Sequence, residues 1–234
     1  YMSNKISVIM SVFNDEKNIE QSIKSILNQT YQDFEFLILD DGSDDTTVDI
    51  CRKYEQKSKK IKLYRNQKNL GLTKSLNILI AKSSGNYIAR QDSDDVSLRR
   101  RFEKQLNFIE DKKLDGCSTL TFINKKGKTS PKFSSYFNPK LISKIKNPFV
   151  HGSLLISKEA MHAIENYNES YYYTQDYKLT SDLLNKGYKL KVLNELLYIS
   201  NIENNISTLH SLEQKLYAKK VRNQNLKIGW SKFE

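Results

Sequence analysis

Residues 6–13, ISVIMSVF, are apolar at almost every position. A run of strand length with no polar face is what a parallel strand covered on both sides requires. The chain then alternates. Ile19, Ile23, Ile26 and Leu27 fall at i, i+4, i+7 and i+8, the stripe of an amphipathic helix. FEFLIL at 34–39 makes a second strand, Ser43 is a candidate N-cap, and Val48, Cys51 and Tyr54 give the next helix a modest apolar face. Ile61 and Leu63 alternate with lysines in a short third strand, and Leu72, Leu76, Leu79 and Ile80 repeat the helical stripe. Gly85-Asn86 turns the chain into a fourth strand, YIA. The order β-α-β-α-β-α-β with short connections predicts a parallel sheet wrapped by helices and joined by right-handed crossovers.

Open parallel sheets bind ligands beyond the carboxyl ends of their strands, and the polar residues collect there. Asn14, Asp15 and Glu16 follow the first strand, Asp40, Asp41, Gly42 and Ser43 the second, and Asp92, Asp94 and Asp95 the fourth. Like charges in contact repel by about 1 kcal/mol in water and several times that near a protein surface. Three acidic clusters on one rim therefore call for a cation or a ligand rich in donors. Carboxylates are hard ligands suited to Mg²⁺ or Mn²⁺, and Mg²⁺ takes only one or two of them beside substrate phosphates. The net charge of +11 and pI near 9.4 favour an anionic partner: a nucleotide, nucleic acid or an acidic membrane surface.

Cys51 and Cys117 match no metal or disulfide pattern and read as small core residues. No secretory signal opens the chain and no apolar run approaches about 18 residues, so a cytoplasmic location is expected. Tyr1 precedes Met2, which reads as the initiator, and the far end has no clear terminal signal, which leaves open a longer chain. Downstream, NPFVHGSLLISKEAMHAIENY reads as a strand and a helix. YNESYYYTQDYKLTSDLLNKGYKLKVL reads as an aromatic loop, a helix with Leu179, Leu183 and Leu184 inward and Gly187 as C-cap, and a strand. Asp176 lies near that helix start, where a negative charge is favourable in any case; local pattern does not separate that role from a chemical one.

Five motifs in order, SVFN with Glu16, LDDGSDD, NLGLTKSLN, ARQDSDD and TQDYKL, resemble the family 2 glycosyltransferases, which bind nucleotide-diphospho-sugars on a GT-A fold. The resemblance runs from about residue 6 to 207 and is strongest up to about 110. It implies an α/β GT-A domain over residues 1–207, with a Rossmann-like, mainly parallel mixed sheet flanked by helices. The nucleotide-sugar half would span about 5–111 and the acceptor half about 112–207, before a basic helical C-terminal extension at 208–234. The implied reaction is inverting transfer from a UDP-sugar to a hydroxyl of a glycan or lipid-linked acceptor, with Mn²⁺ or Mg²⁺ as cofactor. Val12, Asn14 and Glu16 match the nucleoside pocket, Asp40 the carboxylate that accepts from the uracil N3 hydrogen, and Asp41 its neighbour in the donor site. Asn69, Gly71 and Lys74 match positions lining the donor, and Arg90 one that positions the sugar or diphosphate. Asp92-Ser93-Asp94 resembles the DxD motif, with Asp94 a direct metal ligand and Asp92 a contact to the ribose or, through water, to the metal. Asp176 matches the general base, with Gln175 standing where Glu is usual. Many relatives carry an arginine and a histidine after LLYIS, where this chain reads NIENNIS.

Tyr167, Tyr171, Tyr172, Tyr173 and Tyr177 can stack on a sugar or pack their own loop, and His151 or His210 can reach a metal or serve the core; the sequence leaves both open. The C-terminal LEQKLYAKKVRNQNLKIGW fits a basic helix lying on anionic lipid, at the inner membrane face, or one packed back on the domain. Two rival classes stay open, each with a feature that would be expected of it. A sugar-phosphate nucleotidyltransferase should carry a glycine-rich basic loop after the first strand, which SVFNDEKN lacks. A nucleic-acid-binding protein should gather bases where this rim gathers acids, so no nucleic-acid partner is expected.

Overall fold

The computed structural model describes residues 4–131, 133–201 and 211–230. β1 (Ile6–Val12), β2 (Phe34–Asp40), β3 (Ile61–Arg65) and β4 (Tyr87–Arg90) lie side by side in the order β3-β2-β1-β4, all parallel. The crossovers are α1 (Ile19–Leu27), α2 (Thr47–Lys57) and α3 (Leu72–Lys82), as the periodicity predicts. All seven residues of β2 are buried, which a two-sided sheet demands. Alternate residues serve opposite faces. Val8, Met10, Phe36 and Ile38 pack on Ile19, Ile23 and Ile26 of α1, whereas Ile9, Leu37 and Leu39 pack on Leu76, Leu79 and Ile80 of α3.

The chain leaves β4 through the acidic loop into the two-residue β5 (Val96–Ser97) and α4 (Arg101–Lys112), whose Phe102, Leu106 and Ile109 join the α1 side of the core. β6 (Gly116–Ile123), β7 (Lys128–Ser130), β8 (Leu155–Ser157) and β9 (Leu190–Ser200) complete a mixed sheet of nine strands among the described residues. β8 runs antiparallel between β4 and β6, β9 pairs parallel with β6, and β5 closes the far edge antiparallel to β9. Around these strands lie α5 (Pro139–Ile142), α6 (Lys158–Ala163), α7 (Gln175–Lys186) and α8 (Ser211–Trp230). Leu179, Leu183 and Leu184 of α7 are buried on the α3 side, and Gly187 takes φ 100 at its C-cap, as expected.

Two expectations change. The helix after β2 begins at Thr47 with Thr46 at its N-cap, so Ser43 does not cap it; Ser43 sits in the preceding turn and its Oγ accepts from the Asn14 backbone N–H. Of the two readings of the C-terminal helix, packing back on the domain describes α8: Val221 is buried with Tyr171 and Tyr177, and Asn225 Nδ2 donates to the Ser143 carbonyl at 2.7 Å.

Inside the sheet one polar side chain ties three strands together. Glu35 of β2 is 4% exposed and accepts from Ser84 N–H at 2.6 Å, Ser7 Oγ at 2.7 Å and Lys62 Nζ at 3.0 Å. Burial pushes its carboxyl up, but these donors outweigh burial and hold it at about 2. Because the folded value lies below the unfolded one, the stabilisation is complete above about pH 4.5 and is lost as pH falls through about 2. Glu35→Gln should therefore lower stability by about 1.5–3 kcal/mol at pH 7. Urea titrations should show the gap to the unsubstituted protein narrowing from pH 6 to pH 3, and an unchanged gap would rule out an ionised, hydrogen-bonded Glu35.

Candidate active site

The loops after β1 and β2 are laced together. Asn14, at φ 49, receives Asp44 N–H on its Oδ1 at 3.0 Å, and Asp15 N–H donates to Thr47 Oγ1 at 2.9 Å. Glu16 accepts from Thr46 N–H at 3.1 Å and Thr46 Oγ1 at 2.6 Å, so this exposed carboxylate closes the start of α2, where the helix dipole favours it. Val12 is buried at the end of β1, and Phe13 beside it is 48% exposed. The polar residues of the first loop thus shape the second before any ligand arrives.

Asp40 and Asp41 are both buried but differ in use. Asp40 pairs with Arg65 Nε at 3.0 Å beneath a shallow recess lined by Gly42, Ser43, Arg65, Asn66 and Gln67. Asp41 accepts from Asn66 Nδ2 at 2.7 Å and from the backbone N–H groups of Leu70 and Gly71, both at 2.9 Å, which makes it the organiser of the loop before α3. That loop passes so close to Gly42 that a Cβ there would sit 2.8 Å from the Lys68 carbonyl carbon, and Gly42 holds φ 84. Asn69 and Lys74 are exposed, whereas Gly71 takes φ 89 at the start of α3 with the Tyr172 ring beside it.

After β4 the chain crowds its acids over two buried arginines. Arg90, 2% exposed, donates to the Ile9 and Gln91 carbonyls and through Nη2 to Asp92. Arg101 of α4 is fully buried and spends its donors on Gln105, Gln91, Ser97 and the carbonyls of Arg90 and Leu154. Burial lowers its pKa to about 10, still a cation at neutral pH. Ser93 Oγ donates to Asp15 at 2.6 Å, bringing that carboxylate to the cluster. Burial, then Asp92, then Asp15, push Asp94 up to about 7; burial, then Asp92 and Asp94, raise Asp95 as well. Gly152 closes the cluster from the other half of the chain: a Cβ there would lie 2.7 Å from Asp92 Oδ2 and collide with the Tyr198 hydroxyl.

Asp176 stands in the first turn of α7, with Gln175 at the helix start, and its Oδ2 accepts from Asn147 Nδ2 at 2.8 Å. His151 Nε2 meets the Tyr167 hydroxyl at 2.8 Å. Burial and then Arg90 lower the His151 pKa, while Asp92 and Asp176 both pull it upward. Asn147 and Gly152 carry no periodic signal in the sequence, and the sequence leaves open whether His151 and Tyr167 serve a site or the core. His210 lies outside the described residues.

Residues 7–165 match glycosyl transferase family 2. The chain belongs to that family. It is 36% identical over 167 residues to the putative glycosyltransferase EpsE of Bacillus subtilis, matching 70% of this chain and 60% of that one. It is 35% identical over 189 residues to the O-antigen biosynthesis glycosyltransferase WbnJ of Escherichia coli, 77% of this chain and 72% of that one. Among solved structures, Staphylococcus aureus TarS 1–349 in complex with UDP superposes with a TM-score of 0.77 at 20% identity, covering 94% of this chain and 65% of that chain. The mannosyltransferase PcManGT from Pyrobaculum calidifontis, in complex with GDP-Man and Mn²⁺, superposes with a TM-score of 0.75 at 13% identity, covering 95% and 64%. The fold is therefore the GT-A fold that the motifs imply.

In this family 2 chain the acidic loop suits a divalent cation. Asp94 is pressed toward its neutral form by burial and two carboxylates, which is the electrostatic debt a cation relieves. Among the described residues no three acidic, histidine or cysteine side chains are grouped to hold a metal alone. The strain has a measurable sign. Asp94 ionises near 3.8 in the unfolded chain and near 7 in the fold, so its penalty grows as pH rises through that window and is constant above it. Without divalent cations, Asp94→Asn should melt higher than the parent at pH 8, by about 2–4 °C for each kcal/mol relieved, and the advantage should fade toward pH 4. A variant melting lower than the parent at pH 8 would refute the crowding.

Proposed function

We propose that this protein transfers a sugar from a UDP-sugar to a hydroxyl of a glycan or lipid-linked acceptor, with inversion at the anomeric carbon and with Mn²⁺ or Mg²⁺ as cofactor. The observation that carries the proposal is that one short segment touches both remote carboxylate sites: Asn147 Nδ2 donates to Asp176 at 2.8 Å, and the backbone of Gly152 is seated against Asp92 of the Asp92-Ser93-Asp94 loop. Support for the donor class comes from the relatives' names, since TarS 1–349 has been solved in complex with UDP-GlcNAc.

Asp94, with Asp92, is assigned to the cation, which when bound offsets the charge building on the departing diphosphate. Arg90 acts on the substrate through Asp92, because its guanidinium is buried and committed to that carboxylate; it is a positioning residue in this reading. Ser93 holds Asp15 against the loop. Asp40 reads the uracil N–H, with Val12, Asn14 and Glu16 forming the wall beside it and Asp41 setting the loop that carries Asn69 and Gly71. Lys74, exposed on the first turn of α3, faces an anionic donor. Asp176 takes the proton from the attacking hydroxyl, while Asn147 fixes the orientation of its carboxylate and Gln175 borders it. Inversion follows from a single displacement, in which the base and the departing diphosphate occupy opposite sides of the transferred sugar.

Asp176→Asn preserves size and much of the hydrogen bonding but removes the basic oxygen. Single-turnover transfer with donor saturating should fall by about 10²- to 10⁴-fold, the usual contribution of a positioned base, while UDP binding persists. Near-normal transfer by a folded Asp176→Asn enzyme would remove that residue from the chemistry. Conversely, Asp94→Ala should lose the Mn²⁺-dependent part of UDP binding by calorimetry, and UDP should compete against the donor better than GDP; equal competition would discard the uracil assignment.

A further inference from the structure

Between Asp115 and Glu159 the sequence holds eight lysines and no acidic side chain, in a protein whose whole net charge is +11. The centre of this span, residues 136–146, also leaves its large apolar side chains outside the core. Tyr136 is 76% exposed, Phe137 61%, Leu141 60% and Ile145 68%. Leu141 lies in α5 and Ile145 in the turn that follows it, with Lys140, Lys144 and Lys146 next to them along the chain. Among the described residues no carboxylate pairs with any of these three lysines.

The segment is anchored, so this exposure is not that of a frayed loop. Asn138 caps α5 by accepting from Lys140 N–H at 2.9 Å, Tyr177 Oη donates to the Ser143 carbonyl, and Asn225 of α8 donates to that carbonyl from the other side. A fixed apolar ridge ringed by lysines is the pattern of an interfacial anchor: apolar side chains enter the boundary of a bilayer while lysine stems lie along it and their ammonium groups meet anionic headgroups. α8, alongside, turns Leu212 and Leu216 outward with Lys215 and Lys219. No helix among the described residues is long and apolar enough to cross a membrane; what this ridge offers is contact from one side.

We propose that the face built by residues 136–146 docks on an anionic lipid bilayer. The ridge is joined directly to the proposed base, since Asn147 follows it and holds Asp176 at 2.8 Å. Docking there would present the acceptor side of the cleft to a lipid-linked substrate, an orientation that rests on the function proposed above, whereas the docking itself does not.

The test uses the whole chain with vesicles of phosphatidylcholine alone or mixed 3:1 with phosphatidylglycerol, read by flotation at low and high salt. The protein should float with the anionic vesicles, less at high salt, and stay behind with pure phosphatidylcholine. Leu141→Glu with Ile145→Glu should abolish flotation, and the triple change of Lys140, Lys144 and Lys146 to serine should lower vesicle partitioning by about 100-fold. Because all five side chains lie outside the core, both variants should melt as the parent does and bind UDP as it does, which separates failure of docking from failure of the donor site. Equal flotation with both vesicle types, no flotation of the parent, or parent-like flotation of either variant would overturn the proposal. So would a dimer of the parent that the glutamate variant dissolves without any vesicle binding, which would assign the face to a second copy.

Discussion

One buried guanidinium underlies the acidic loop. Arg101 has no surface in contact with water, and its donors run to the end of β4, the β5 strand, its own helix and the chain entering β8. Charge buried without a directly paired carboxylate is costly unless every donor is used, and here five hydrogen bonds use them. The arrangement ties Arg90, Gln91 and Ser97 together at the two ends of the acidic loop, so the aspartates between them are held close despite their repulsion. Arg90 adds a second cation beneath the same loop. The site is thus built with its negative charge held in place by positive charge it cannot reach for neutralisation in full, and Asp94 carries the remainder.

That division of labour explains why the rim is rigid where binding is proposed and crowded where a cation is proposed. The lacing of Asn14, Asp15 and Glu16 to the second loop satisfies backbone donors that would otherwise face solvent at the strand ends. The residues that look most like ligand contacts in sequence are therefore also structural, each doing one job through its backbone and another through its side chain. A substitution at Glu16 would disturb the start of α2 as well as anything that binds beside it.

The parallel half was legible because its signal is redundant. β2 is apolar at five of seven positions and buried at all seven, and the helical stripes of α1 and α3 name the residues that cover it. β6 escaped attention for the opposite reason: Ser118, Thr119 and Thr121 are buried in it, and a strand with a polar interior has no apolar alternation to read. The carboxylates were found by their order along the chain, but their partners were not. Arg65 over Asp40, Asn147 on Asp176 and His151 against Tyr167 are single residues brought together across long stretches of sequence, and only the folded chain pairs them. Ser43 shows the same limit on a smaller scale, since a hydroxyl near a helix start serves equally as a cap or as an acceptor for a neighbouring loop.

Gly152 has a consequence beyond its own turn. With the backbone of one half of the chain seated against Asp92 and the Tyr198 hydroxyl of others, there is no clearance at that seam for even a methyl group. Parts that share a wall without clearance cannot slide past one another. A shift of the loop that carries His151 toward the acidic loop would therefore meet Asp92 and the Tyr198 hydroxyl at once. In mechanical terms the segment from 147 to 152 is a strut with Asp176 at one end and Asp92 at the other.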